Sequence, residues 1–424
     1  MAKSFIFAFS IFLLGTLLLA NPVGAAAVSP GEIDALAALE RQKISSDDGA
    51  TDNQFGWSVA VEGDIALVGA PNTRIGTNEG QGSVYVFTRM HGPWVQTQKL
   101  TADDGGTADA FGLSVAIAGT TAIVGSPNNE TFRGAAYVFQ LAAGTWVQSQ
   151  KLVASDGTDF NQFGWSVALQ NQAALIGATS ATVGSNGSQG AVYAFTETST
   201  FWSETQKFSS ADGVTGDGFG WSIGLDGKNA VVGAGFASGP GGEFQGVAYT
   251  FRHRNGVWVE TQKLTADNGA AFDFFGLAVA LEGRNVLVGA QGAATDGNPF
   301  SNQGAVYRFF HSGGVWSQTQ IISASDGKAS DGFGTSVAVR RGVVVIGAAG
   351  ATVDGIDFAG AAYIFHGSSG SLVETDKLTP SDPVENGNFG WSAALSRNAV
   401  FIGSYNATSD EHVRQGAVYI DADP

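Results

Sequence analysis

Short apolar runs alternate along the chain with polar, glycine-bearing breaks, and the runs come in sets of four. In the first set they are "WSVAV" (57–61), "IALVGA" (65–70), "SVYVF" (83–87) and "WVQTQKL" (94–100). Each is rich in Val, Ile, Tyr, Phe, Trp and Thr and is bounded by Gly, Asn or Asp, the composition and punctuation of β-strands. Apolar residues at the helical period of ~3.6 do not recur through these sets. The pattern predicts an all-β protein built from four-stranded antiparallel units.

The unit repeats. Taking the Phe of each Phe-Gly pair as a marker, copies start at Phe55, Phe111, Phe163, Phe219, Phe275, Phe333 and Phe389, separated by 56, 52, 56, 56, 58 and 56 residues. A period of this size marks a propeller, solenoid or array, and four strands per unit repeated radially is a propeller blade. From the Phe to the Gly of "VGA" is 14 residues in every copy, and from the third-strand Tyr to the next Phe is 26. Length varies only between the second and third strands.

Closure can also be read. The seventh copy ends at "GAVYI" (416–420) without a fourth strand, while "RQKISSDDG" (41–49) matches the segment that precedes every other Phe-Gly pair. The expected fold is therefore a seven-bladed β-propeller of four-stranded antiparallel blades, residues 41–424, with the ring closed by the N-terminal strand. A closed ring leaves neither end of the array as an exposed edge.

At 424 residues the chain exceeds the size at which one core stops growing, and the repetition explains how it avoids splitting into domains. Sixty glycines and only 14% charged residues agree with tight turns and short strands. Lys plus Arg number 21 against 38 Asp plus Glu, with no basic run, so nucleic acid is excluded as a partner.

Ahead of the repeats, Lys3, the apolar "FIFAFSIFLLGTLLLA" and the small residues of "VGAAA" (23–27) predict a signal peptide over residues 1–27, cut after Ala25 or Ala27. Residues 28–40 then form a linker with room for a helical turn. The chain is expected to be secreted or in the cell envelope, touching a membrane only through an uncleaved signal, and to be a monomer. With no cysteine, packing and hydrogen bonds alone must hold the fold.

The Phe-Gly pair followed by "VGAP" or a close variant resembles the FG-GAP repeats of the integrin α-chain head, itself a seven-bladed β-propeller. The resemblance covers residues 41–420 and implies an extracellular protein of adhesion or ligand binding. Integrin-type blades often carry a Ca²⁺ loop between the first two strands. Here only "EGD" (62–64) and the equivalents "AGT", "QNQ", "DGK", "EGR", "RRG" and "SRN" fill that place. They are too short for several oxygen ligands at alternate positions and predict tight hairpins, so no calcium and no other cofactor is expected.

Two acidic or amide positions recur in the connectors between blades. Seven residues before the Phe stand Asp48, Asp104, Asp156, Asp212, Asn268, Asp326 and Asp382, and two before it Asn53, Asp109, Asn161, Asp217, Asp273, Asp331 and Gly387. Asp104 with Asp109, Asp212 with Asp217 and Asp326 with Asp331 could flank a cation. The alternative, favoured by recurrence in nearly every copy, is turn chemistry: Asp-Gly at the first position and an Asx-turn at the second.

The recurring aromatics have the same ambiguity. Trp57, Trp165, Trp221 and Trp391 follow Phe-Gly, Trp94, Trp146, Trp202, Trp258 and Trp316 open the fourth strand, and all are expected to fill the wedges between blades. Phe132, Phe236, Phe244, Phe300, Phe358 and Tyr405 lie instead in the length-variable loops, as ligand-binding candidates or as rings folded onto the blade tops. Three Asn-X-Ser/Thr motifs, at Asn129, Asn186 and Asn406, share those loops and carry little weight as glycan acceptors.

The histidines (His91, His253, His311, His366, His412) are spread one per blade and cannot converge for acid–base work; solvated turns are expected for them. The functional expectation is a non-enzymatic scaffold presenting a loop crown to an extracellular protein or glycan. The competing class is a carbohydrate-active lyase or hydrolase using Asp212, Asp217 or Asp331 at the channel mouth.

Overall fold

Strands whose two faces are both apolar need cover on both sides, and here each unit obtains it from its two neighbours. The computed structural model describes residues 41–90, 92–199, 201–294, 301–367, 370–409 and 412–422. The signal and linker predicted for residues 1–40, and Phe300, lie outside the described residues.

Seven four-stranded antiparallel sheets are present. In the first blade the strands are Ser58–Glu62, Ile65–Ala70, Ser83–Thr88 and Val95–Leu100, paired in chain order. The first strands of neighbouring blades contact one another around the axis, so they are innermost. In the seventh sheet the order from the outside is Arg41–Ile44, Ala417–Ala422, Ala399–Ser404 and Ser392–Leu395. The first described strand thus supplies the outer strand of the last blade.

The Phe of each Phe-Gly pair is fully buried or nearly so, with its ring edge-on to the third-strand aromatics, as Phe55 is to Tyr85 (5.5 Å) and Phe87 (5.8 Å). Glycine in "VGA" is forced by close approach: a side chain at Gly69 would run into the carbonyl oxygen of Gly112, the Phe-Gly glycine of the next blade. The hairpins predicted between inner and second strands are there, with Gly63 at φ 59° and Asn171 at φ 52° supplying the left-handed residue.

Polar staples bind one blade to the next. At the outer strands Gln98 Nε2 donates to the Trp146 carbonyl (2.7 Å) and accepts the Trp146 N–H at Oε1 (2.8 Å). Gln42 does the same with Trp94, both bonds 2.8 Å, which ties the first described strand to the first blade. At the inner strands Ser58 Oγ donates to the Gly112 carbonyl (2.8 Å), and Ser392 Oγ repeats this with Gly56 across the closing seam.

Candidate binding face

The face that carries the variable loops also carries the connectors between blades, and the two are hydrogen-bonded side by side. In the first blade the N–H groups of Ala108, Ala110 and Phe111 donate to the carbonyls of Glu79, Gly80 and Gln81 at 2.8–3.1 Å. At the closing seam Gln54 and Phe55 donate likewise to Arg414 and Gln415. Loop and connector therefore form one ridge per blade junction.

Three backbone positions on every ridge are left-handed. They are the loop residue two before the third-strand Gly, and the connector residues three and one before the Phe. Such φ values suit Gly, Asn or Asp and are strained for bulky residues. Five ridges carry Arg414 with Asp52, Gly80 with Ala108, Ser188 with Gly216, Asn302 with Ser330, and Phe358 with Asn386 at the two outer positions.

The remaining two ridges place phenylalanine there. Phe132 (φ 61°) faces Phe160 (φ 66°), their rings stacked at 5.8 Å and 14°. Phe244 (φ 52°) faces Phe272 (φ 67°) at 5.6 Å, with Phe274 (φ 56°) behind. These rings stand in solvent: Phe160 is 62% exposed, Phe272 48%, Phe358 43%, Phe132 40% and Phe244 39%. A cleft of about 500 Å³ runs beside the Phe132–Phe160 pair, with Thr182 and Ser188 of the next loop opposite.

The other two loop candidates in the described residues behave differently. Phe236 is half-buried against Trp221 (4.8 Å), and Tyr405 sits between Trp57 (4.9 Å) and Trp391 (4.8 Å). This corrects the expectation for the tryptophans that follow Phe-Gly. They are half-buried at the upper ends of the inner strands, pairing as Trp57–Trp391 (5.0 Å) and Trp165–Trp221 (4.5 Å), whereas the fourth-strand tryptophans do fill the wedges. Trp165, Trp221, Phe236, Phe274, Phe244 and Phe272 consequently form one aromatic arc over blades 3 to 5. Phe160, Phe272 and Phe274 were not singled out from sequence. Their signal was a Phe at connector positions where other copies have Gly, Ala, Ser, Asn, Asp or Gln.

The paired carboxylates are structural groups in the described residues. Asp48 accepts the Tyr85 hydroxyl (2.8 Å) at one oxygen and the Lys99 ammonium (2.6 Å) at the other. The same triad occurs as Tyr137–Asp104–Lys151, Tyr193–Asp156–Lys207, Tyr249–Asp212–Lys263 and Tyr363–Asp326–Lys377. It recurs as Tyr419–Asp382–Lys43, where the lysine comes from the N-terminal strand. Desolvation raises the carboxyl pKa, but the lysine and tyrosine hydrogen bonds together outweigh it and hold Asp48, Asp104, Asp156, Asp212 and Asp326 below the ordinary value.

The Asp-Gly turn reading of that position therefore missed its main role, a tie between connector and blade. Blade 5 is the informative exception: Asn268 replaces the aspartate and Ile321 the lysine, so both charges go together.

The second position makes the expected Asx-turn. Asp109, Asp217, Asp273 and Asp331 are buried and accept the N–H of Gly106, Val214, Ala270 and Lys328 at 2.7–2.8 Å. Burial pushes Asp217, Asp273 and Asp331 above the usual carboxylate value. Among the described residues no three His, Asp or Glu side chains converge as a metal ion requires.

His253 and His311 end third strands and pack on Trp258 (5.1 Å) and Trp316 (4.9 Å), rather than lying in solvated turns. The amides of Asn129, Asn186 and Asn406 donate internally to Asp109, Gln189 and Asn388.

No helix among the described residues is long and apolar enough to cross a membrane. No characterised protein matches the chain closely enough to be counted a relative. The repeat itself is recognised: the model of the FG-GAP repeat matches residues 39–87, 94–139, 146–195, 202–251, 258–310, 316–365 and 372–420, and the chain belongs to the FG-GAP repeat family.

Proposed function

We propose that this FG-GAP propeller is an exported, non-enzymatic binding module whose upper face docks an extracellular protein in an adhesive role. One observation carries the reading: two of seven equivalent ridges present exposed phenylalanine pairs on left-handed backbone, where small or polar residues would cost less. Solvent-exposed aromatic pairs on a rigid frame make hot-spot anchors, because little entropy is lost when they dock. The resemblance to the integrin α-chain head supports adhesion, and the apolar leader of the sequence supports a secreted or envelope location. Glycan recognition is the competing outcome.

Catalysis has less behind it. An active site calls for one asymmetric, perturbed group, whereas Asp217, Asp273 and Asp331 are perturbed alike in three blades and are held by backbone N–H groups.

The test is an array of purified extracellular proteins and glycans probed with the mature chain and with Phe132→Ser/Phe160→Ser and Phe244→Ser/Phe272→Ser variants. The reading requires a protein ligand that at least one double variant binds more than tenfold more weakly with its thermal midpoint nearly unchanged. It fails if nothing is retained, or if every ligand found ignores both substitutions.

A further inference from the structure

The opposite face holds a departure from the repeat that creates space. Five blades open their outer strand with Trp94, Trp146, Trp202, Trp258 or Trp316, each buried against the preceding blade, but the sixth has Leu372 there. At the same seam the third strand of blade 5 carries Arg308, where the other six copies have Val86, Val138, Ala194, Thr250, Ile364 and Ile420. A cavity of about 390 Å³ opens between blades 5 and 6, within the range of small-molecule sites.

Its floor is apolar, from Leu287, Val344, Leu372 and Phe310, and its charged groups are unbalanced. Arg308 is buried, with Nε and an Nη bonded to Asn285 Oδ1 (3.0 and 2.7 Å) and the other Nη to the Gly370 carbonyl. Burial holds its pKa below the ordinary arginine value, and its bonds to Asn285 and Gly370 fix it as part of the cavity wall. Exposed Arg284 lies 4.8 Å over the Phe310 ring with Nε donating to the His311 carbonyl, which fixes the orientation of its guanidinium at the cavity rim.

Exposed Arg341 completes the rim. The one carboxylate among the described lining residues, Glu282, is occupied in accepting the N–H groups of Arg341 (2.6 Å) and Gly342 (3.3 Å). Two exposed arginines at the rim, beside a carboxylate already engaged, make a locally basic patch in a chain of net charge −17.

We infer that this cavity binds a small monocarboxylate with a hydrocarbon body, the tail against Leu287, Val344 and Leu372 and the carboxylate on the guanidinium forks of Arg284 and Arg341. A planar carboxylate matches the arginine fork, and the apolar floor favours a tail that inorganic phosphate lacks. The site is independent of the upper face.

Calorimetric titration of the full mature chain with octanoate tests it, alongside octanol, which lacks the charge, and inorganic phosphate, which lacks the tail. Octanoate should bind once per chain, and the two controls at least tenfold more weakly. Leu372→Trp, which restores the residue of the other blades, should abolish binding, and Arg284→Gln and Arg341→Gln should each weaken it about tenfold. No binding, or binding at several sites insensitive to these substitutions, overturns the inference. Should Leu372→Trp fail to fold, the two exposed arginine variants decide: octanoate affinity unchanged in both is likewise fatal.

Discussion

The seams between blades and the ridges of the upper face share a sevenfold backbone but treat it in opposite ways. At the seams the same side chains recur: a buried Phe, a Tyr–Asp–Lys tie in six blades and, at six seams, a Gln bonded to the neighbouring outer strand. On the ridges the same left-handed positions hold Gly, Ala, Ser, Asn, Asp, Gln, Arg or Phe. Uniform chemistry is what packing identical wedges demands, so variation at fixed backbone points to a demand from outside the fold. Substitutions should accordingly cost stability at the seams and binding at the ridges.

The harshest test of the seam is at its join. A chain lacking its first 46 residues loses the burial of Ile44, the Gln42–Trp94 pair and the Lys43–Asp382 contact, and leaves blade 7 with an open edge. One buried aliphatic contributes ~1.5–3 kcal/mol. With the edge hydrogen bonds added, denaturant unfolding should show a loss of several kcal/mol. An unchanged midpoint would mean that the join is incidental.

Acid attacks five ties at once. Asp48, Asp104, Asp156, Asp212 and Asp326 have folded pKa values below 3.8, so they contribute stability that is present above that pH and lost as pH falls through the folded values. The raised Asp217, Asp273 and Asp331 act in reverse, favouring the fold once protonated. Five against three, the thermal midpoint should begin to drop below about pH 4. Replacing the five aspartates with Asn should flatten that drop.

Blade 5 sharpens the seam further, since it dispenses with charge by losing both partners. Lys263→Ile in blade 4 removes one, and for a half-exposed pair the cost should be ~0.2–1 kcal/mol. The double variant Asp212→Asn/Lys263→Ile recreates the Asn268/Ile321 pairing and should cost less than the two single changes summed. Strict additivity in that cycle would show that the two residues do not act as a pair.

The seams were the part of the molecule open to reading from sequence. Phe-Gly spacing, strand pattern and the missing fourth strand each follow from local propensity repeated seven times, so errors in one copy are corrected by the others. The Tyr–Asp–Lys tie joins residues up to 339 apart and escaped notice, although the joint loss of its aspartate and its lysine in blade 5, where Asn268 and Ile321 stand instead, was its trace. The ridge was harder still. Exposure of Phe160 and Phe272 depends on left-handed backbone imposed by pairing with a loop well upstream in the chain, the one that carries Phe132 or Phe244, and no local pattern encodes it.

That dependence gives the gentlest test. Phe160→Gly removes a ring that stacks on Phe132, a contact worth ~0.5–1.5 kcal/mol, but it also removes the ~1–2 kcal/mol that a left-handed φ of 66° costs an L-residue. Glycine's greater unfolded-state freedom returns ~0.5–1 kcal/mol to the debit side. The terms nearly cancel, so the unfolding free energy should move by less than ~1 kcal/mol, where Phe219→Ala in a seam should lose ~3–5 kcal/mol. A loss at Phe160 as large as at Phe219 would place that ring in the structural class and remove the ground for treating the ridges as a binding surface.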